Sequence, residues 1–348
     1  MVLFLAISAG LWMLGRYMGA PYNARWMMIA LVYIAILIVQ ITAPSDNPLR
    51  VALGGSLSEW GAIGGLALAA WAYSKSLKRV KKRVRPENRP KAEKSETLQG
   101  VELDRYARHI VLREIGGVGQ QRLRAAKVMV IGSGGLGSPA LMYLAAAGVG
   151  TIGVIDDDVV EVTNLQRQII HTDDRIGTPK VFSAQVAMNA QNPFITVRPY
   201  NRRLTEEIAA ELFKDYDLIL DGTDNFETRY LVNRVAAEHG RPLISAALTQ
   251  WEGQISTFDP KKGAPCYQCI FPMAPAPELA PNCAEAGVLS PLPGVLGSLM
   301  AVEAAKELTG AGSGLRGRLM IYDALHGETR MIKVQRRDDC PICGSRKA

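Results

Sequence analysis

The stretch VIGSGGLGSPALMYLAAAGVGTIGVIDDD, from Val130 to Asp158, leaves few folds open. An apolar run of strand length meets Gly132, Gly134 and Gly137 in the spacing G-x-G-x-x-G, with Gly135 among them. A small-residue segment of helical length follows, then a second apolar run that ends in acid at Asp156. Glycines in that position let backbone approach phosphate, and the helix they open offers N–H groups and positive potential to an anion. An acid closing the next strand can accept hydrogen bonds from ribose hydroxyls. A glycine-rich packing turn is the alternative, but the order strand, loop, helix, strand, acid favours an adenine nucleotide.

The pattern from Val101 onward is that of an α/β domain. ELDRYARHIVLREI has helical spacing, with Tyr106, Ile110, Val111 and Ile115 on about one face. Strands are expected at Lys127–Ile131, Thr151–Ile155, Thr196–Tyr200, Leu218–Leu220 and Leu243–Ala247, with helices between them. One helix is expected to open with Thr178 as N-cap and Pro179 as its first residue. Such alternation implies a parallel sheet with right-handed crossovers. After Trp251, GQISTFD and RLMIYDALHGETRMIKV read as antiparallel strands, with a helix near Val295–Leu308 between them. The expected fold class is a Rossmann-like, doubly wound, mostly parallel sheet that continues into antiparallel strands.

NAD is the default occupant of such a loop, but three features point to a triphosphate instead. TNLQRQ places Asn164 and Arg167 just after the acidic turn, and Lys180 follows in GTPK. Cations near phosphates suit the breaking of a triphosphate, where charge builds on the departing pyrophosphate. DGTDN, Asp221 to Asn225, follows a strand and puts Asp224 at the carboxyl end of the sheet, where a carboxylate can hold Mg²⁺ against phosphate oxygens. His171, His239 and His326 stand in contexts that suggest no hydride chemistry.

RYARHIVL, GSGGLGSPALMYLAAAGVGTIGVIDDDVVEVTNLQRQ, GTPK, DGTDNFETRYLVN and NCAEAGVLSP occur in that order between about Asp104 and Cys343. Together they resemble the MoeB/ThiF/HesA enzymes, bacterial relatives of ubiquitin-activating enzymes, and most closely the MoeB type. The resemblance implies adenylylation of the C-terminal glycine of a small ubiquitin-like sulphur carrier ending in Gly-Gly, for molybdopterin synthesis, with ATP as substrate and Mg²⁺ as cofactor. It implies that Gly135 and Asp156 contact the nucleotide, that Asn164, Arg167 and Lys180 hold phosphates, and that Asp224 holds Mg²⁺ with Asn225 beside it. Arg108, in RYARH, would reach the site of the other subunit, so a homodimer is expected. The alternatives are a ThiF-type enzyme of thiamine synthesis that links Cys283 covalently to its carrier, an NAD-linked oxidoreductase, and a scaffold with a dead pocket. Arg229 reads as a structural ion pair. No rhodanese-like domain follows Cys343 in this sequence, so a separate sulphur donor is expected.

Cys266-x-x-Cys269 and Cys340-x-x-Cys343 are two thiolate knuckles, the closed Cys₄ set of structural Zn²⁺, with a redox pair as the alternative. The family pattern favours zinc. Cys283, in PNCAEAGVLSP, is unpaired.

The first 75 residues look different. No Lys precedes Lys75, and four of the five Trp lie before it. Val2–Leu14, Trp26–Ala43 and roughly Trp60–Tyr73 are apolar, which suggests about three transmembrane helices in residues 1–75. The start MVLFLAIS lacks the basic region of a signal peptide. Between Lys75 and Lys94 stand ten Lys/Arg against two Glu. The whole chain carries +7, this run +8 and the residues before it +1, so the part from Ser95 carries about −2. That argues against a nucleic-acid surface. Residues 76–100 read as a basic linker and 101–348 as the adenylyltransferase domain. The charge asymmetry would put that domain in the cytoplasm, on a multi-pass anchor in the inner membrane.

Overall fold

Two units make up the chain, Met1–Arg89 and Pro90–Ala348. The computed structural model describes residues 2–19, 21–44, 47–84, 100–275 and 286–344.

The first unit is helical: α1 (Val2–Tyr17), α2 (Tyr22–Thr42), the short α3 (Pro48–Leu53) and α4 (Leu57–Val84). α1 and α2 run antiparallel, as the ring pairs Phe4–Tyr33 at 6.0 Å and Trp12–Trp26 at 5.3 Å show. Trp60 at the start of α4 is fully buried, 5.6 Å from Phe4, and its indole N–H donates to the Gly54 carbonyl at 2.8 Å. Arg50 of α3 donates to Gln40 at 3.1 Å and to the Ala43 carbonyl at 2.8 Å, which satisfies part of the C-terminal end of α2. The three expected spans reduce to one. Among the described residues only Ala24–Thr42 of α2 is long and apolar enough to cross a membrane. α1 is too short, and the apolar half of α4 is diluted by Glu59, three glycines and two tryptophans. Nor does α4 stop where a linker was expected. It runs on through Lys75 to Val84, as Lys and Arg are good helix formers. Residues 85–99 of the expected linker lie outside the described residues.

In the second unit the strands are β1 (Lys127–Ile131), β2 (Thr151–Ile155), β3 (Thr196–Tyr200), β4 (Leu218–Asp221), β5 (Leu243–Leu248), β6 (Glu252–Phe258), β7 (Arg318–Asp323) and β8 (Glu328–Lys333). They form one eight-stranded sheet in the order β3-β2-β1-β4-β5-β6-β7-β8. The first five are parallel and the last three antiparallel. β2 and β4 are buried along their whole length, as strands covered on both faces must be, whereas β8 is exposed throughout at the edge.

The helices are α5 (Val101–Ile110), α6 (Gly116–Ala125), α7 (Gly137–Ala147), α8 (Lys180–Gln191), α9 (Glu206–Phe213), α10 (Phe226–Glu238), α11 (Tyr267–Ile270) and α12 (Leu292–Thr309). α7, α8 and α12 cover one face of the sheet through Leu141, Leu144, Ala184, Met188, Leu296 and Met300. α9 and α10 cover the other through Phe213, Val232 and Val235. Two helix ends differ from expectation. α8 begins at Lys180 with Pro179 as N-cap, and Thr178 instead gives its carbonyl to Val160 in the preceding turn. α5 ends at Ile110, so Val111 leaves the helical face and stands 72 % exposed.

Candidate functional site

β1 and β4 are neighbours at the point where strand order reverses, and their carboxyl ends part to open a crevice. A cavity of about 1490 Å³ lies there. Its wall includes Gly132, Gly134, Gly135, Asp156, Arg167, Lys180, Asp224 and Asn225. The glycine loop passes from β1 into α7. Gly132 has φ +86°, which disfavours any side chain. A Cβ on Gly137 would overlap the carbonyl oxygen of Gly132, so the third glycine is what lets α7 start against the strand.

Asp156, at the end of β2, does more than face a ligand. Its Oδ2 accepts from the backbone N–H of Ser133 at 2.8 Å and from the Ser133 hydroxyl at 3.0 Å, and its Oδ1 accepts from the N–H of Asp158. The acid therefore shapes the loop it closes. Below the loop, His171 is 5 % exposed. Its Nε2 is 3.0 Å from the Ser133 carbonyl, which can only accept, so the proton sits on Nε2. Burial pulls His171 down to about 4, against the Ser133 bond, with Lys180 and Arg175 adding to the fall, so the ring is neutral at physiological pH. Nδ1 then accepts from the Ser183 hydroxyl at 2.9 Å. Nothing in sequence spacing marked His171 or Ser133, because their relation is made by the fold.

Lys180 is 4 % exposed, yet its ammonium reaches the cavity wall and donates to Asp158 at 2.6 Å. Arg167 donates to Asn164 Oδ1 at 2.9 Å. Asn164 is thus drawn to the cation rather than to the cavity, whose wall it does not join. The side-chain oxygen of Gln168, buried in the same wall, has no partner among the described residues. An orphan acceptor beside a phosphate-type loop fits a polar ligand such as a nucleotide.

The turn after β4 separates two aspartates by role. Asp221 is fully buried and accepts from Thr223 N–H at 3.0 Å and Ser245 Oγ at 2.7 Å, with Arg229 Nε at 3.9 Å. Arg229 also donates to the carbonyls of Ala246 and Thr223, so it is the buried brace of this turn, in keeping with the ion pair expected of it. Asp224 is exposed at the cavity. One such carboxylate beside phosphate oxygens fits Mg²⁺, which keeps most of its other positions for water and substrate. Asn225 caps α10, its Oδ1 accepting from Thr228 N–H at 2.8 Å. Arg108 is exposed on α5 and is not part of the cavity wall.

The four cysteines converge behind the cavity wall without joining it, all buried and unoxidised. Sulphur separations are 3.9 Å for Cys266–Cys269, 3.5 Å for Cys266–Cys340 and 3.4 Å for Cys269–Cys343. These exclude a disulfide and sit near the tetrahedral edge of about 3.8 Å that Zn–S bonds of about 2.3 Å require. Burial pushes Cys266 well up and Cys343 up to about 11. Cys340 falls to about 7: burial opposes this, but the N–H groups of Cys343 and Ile342 outweigh it. Thiols so crowded need a cation to ionise together, and the donor set suits zinc. Cys283 lies outside the described residues.

Residues 106–342 match the model of the ThiF family. A sulfur carrier protein adenylyltransferase of Thermus thermophilus is 49 % identical over 247 residues, covering 70 % of this chain and 91 % of that protein. The SAMP-activating enzyme E1 of Haloferax volcanii is 46 % identical over 248 residues, 71 % of this chain and 91 % of its own length. The bovine adenylyltransferase and sulfurtransferase MOCS3 is 46 % identical over 246 residues, and the chain spans about half of it, 54 %. Among solved structures, Escherichia coli MccB with ATP shares the fold at a TM-score of 0.59 and 23 % identity, over 65 % of this chain and 69 % of that one. The matches to curated relatives and the family model, laid over a sheet and glycine loop of this form, establish that the chain belongs to the ThiF family.

Proposed function

We propose that the chain is an ATP-dependent adenylyltransferase that activates the C-terminal glycine carboxylate of a small ubiquitin-like sulphur carrier. The observation that carries this reading is the gathering of Arg167, Lys180 and Asp224 around one glycine loop at the switch point of the sheet. The names of the Thermus and Haloferax relatives support it.

In the reaction a carboxylate oxygen attacks the α-phosphorus of ATP. The bond from that phosphorus to the bridging oxygen breaks, its electron pair leaves with pyrophosphate, and an acyl-adenylate remains on the carrier. A chain-terminal carboxyl has a pKa of about 3.3–3.7 and is ionised at neutral pH, so no general base is required. The work left to the protein is positioning and neutralising the charge that grows on pyrophosphate. Lys180 is poised for this: phosphate oxygens compete with Asp158 for its ammonium. Arg167, oriented by Asn164, supplies a second cation. Asp224 would hold Mg²⁺, which adds charge against the phosphate oxygens when bound. The glycine loop and the start of α7 supply N–H groups. Arg108, outside this cavity, acts in the site of the second protomer of a homodimer, and the Cys₄ zinc set is structural. The carrier is that of molybdopterin synthesis, supplied with sulphur by a separate donor.

An oxidoreductase reading has less support. His171, the histidine nearest the loop, is held neutral with both ring nitrogens engaged, and so offers no proton for hydride chemistry.

The test is ATP–pyrophosphate exchange by the full chain in detergent with purified Gly-Gly-ended carriers. Exchange is expected only with a carrier present and is lost when the carrier's last glycine is removed. Absence of exchange with every carrier, together with tight binding of NAD, overturns the reading.

A further inference from the structure

The helices of the first unit are packed on the inside and apolar on the outside. On α2 the inward face carries Tyr33, Ile36 and Gln40, the last two almost fully buried. The outward face carries Met27, Leu31, Ile34, Ile38 and Ile41, each at least half exposed, at steps of four, three, four and three. A soluble helix shows water the opposite pattern, a polar outer face. A core helix would bury this stripe, but only 11 % of the apolar window of α2 is buried.

The charges are sorted as well. Ala24–Thr42 carries one charge, Arg25 at its first turn, over 19 residues or about 28 Å of helix, close to the roughly 30 Å of a hydrocarbon core. At the Arg25 end the guanidinium lies over the Trp12 ring at 5.8 Å, and Trp12 stacks edge-on against Trp26. On α4 the ammonium of Lys75 lies over Trp71 at 4.6 Å. Tyr33 contacts Trp60 and Gly64, so the first turns of α4 pack against the middle of α2. Indole rings paired with cations are at home where acyl chains give way to headgroups. A basic run follows the apolar half of α4 from Lys75 on.

We propose that lipid acyl chains cover the outer face of this unit, that α2 crosses the bilayer, and that its Arg25 end, with Trp12 and Trp26, sits among the headgroups of one leaflet. The occupant is lipid because the stripe runs the full length of a helix matched to a bilayer and ends, at Arg25, beside the indoles of Trp12 and Trp26.

The test uses the full chain expressed in a bacterium. It is expected to stay in the membrane pellet through an alkaline carbonate wash. With Met18→Cys and Leu49→Cys, one before and one after α2, a membrane-impermeant maleimide is expected to reach one of the two thiols in intact spheroplasts. The other thiol is expected to react only after permeabilisation; the labelled peptide is identified by mass. Leu31→Arg with Ile38→Arg should release most of the chain from the carbonate-washed pellet. Three results overturn the proposal. A chain that carbonate strips, or that is monodisperse in buffer without detergent, has these faces covered by protein. Two thiols that react alike, both before or both only after permeabilisation, rule out the crossing. Unchanged retention of the double arginine variant removes the stripe from the acyl chains.

Discussion

His171 Nε2 donates to the carbonyl oxygen of Ser133 at 3.0 Å, so one buried neutral ring holds the floor of the glycine loop. His171→Ala leaves that carbonyl unpaired at a cost of about 1–3 kcal/mol. KM for ATP should rise more than kcat falls, because the loop binds phosphate before any bond changes. The ring also makes stability depend on pH. Its folded value of about 4 lies below the ordinary 6.5, so the unfolded chain binds the proton more readily between the two. Stability is full above about 6.5 and falls as pH drops towards 4, by roughly 3 kcal/mol in all. Denaturant titrations across that range should show this fall in the native chain and a flatter profile in the variant.

Asp221 and Asp224 stand three residues apart and should fail in different ways. Asp221→Asn breaks a buried pair with Arg229 and should cost about 3–5 kcal/mol of stability. Asp224→Asn, at an exposed position, should change stability by no more than about 0.5 kcal/mol while lowering carrier-dependent exchange by about 10²-fold or more. Melting curves and exchange rates on the same preparations separate the two.

Lys180→Met keeps the buried aliphatic stem and removes the ammonium. Its partner Asp158 has a side chain 66 % exposed and can return to water, so the melting temperature should hardly move. Exchange activity should fall by about 10²-fold or more. A variant of near-native activity would remove Lys180 from the reaction.

The glycines of the loop are unequal. Gly137→Ala drives a methyl into the Gly132 carbonyl and should prevent folding or displace α7. Gly134→Ala meets only the Gln168 amide nitrogen at 3.6 Å and should fold with a near-native circular dichroism spectrum.

Elemental analysis of the full chain should find one zinc per chain, and Cys343→Ser should lose it. Chelation should lower the melting temperature, since metal binding to such a set is coupled to folding.

The sheet was readable because β1, β2 and β4 are near-continuous apolar runs, broken by glycine turns and buried on both faces. Their side chains obey one local rule whatever the rest of the chain does. The glycine loop, Lys180, Arg167 and Asp224 were readable because their spacing encodes where the strands end. The bonds of Ser133 to Asp156 and His171, and of Lys180 to Asp158, were not, since each joins residues 22 or more apart and depends on how α8 docks. Asn225 shows the limit from the other side. A residue expected to face the ligand spends its carbonyl oxygen on capping α10. Thr178 and Pro179 fit a helix-start pattern that is one residue out of step, because the Val160 turn takes the Thr178 carbonyl first.

Phe271 to Pro275, part of the cavity wall, leave α11 directly behind Cys269. The cysteine at their root is gripped by the last residues of the chain, through Cys343. Loss of the zinc proposed for this set, or an oxidant that ties two of these sulphurs together, would therefore loosen that stretch of the cavity wall, though no residue of the glycine loop had been altered. The proposed metal would in that way act on the crevice at a distance, through Cys340 and Cys343.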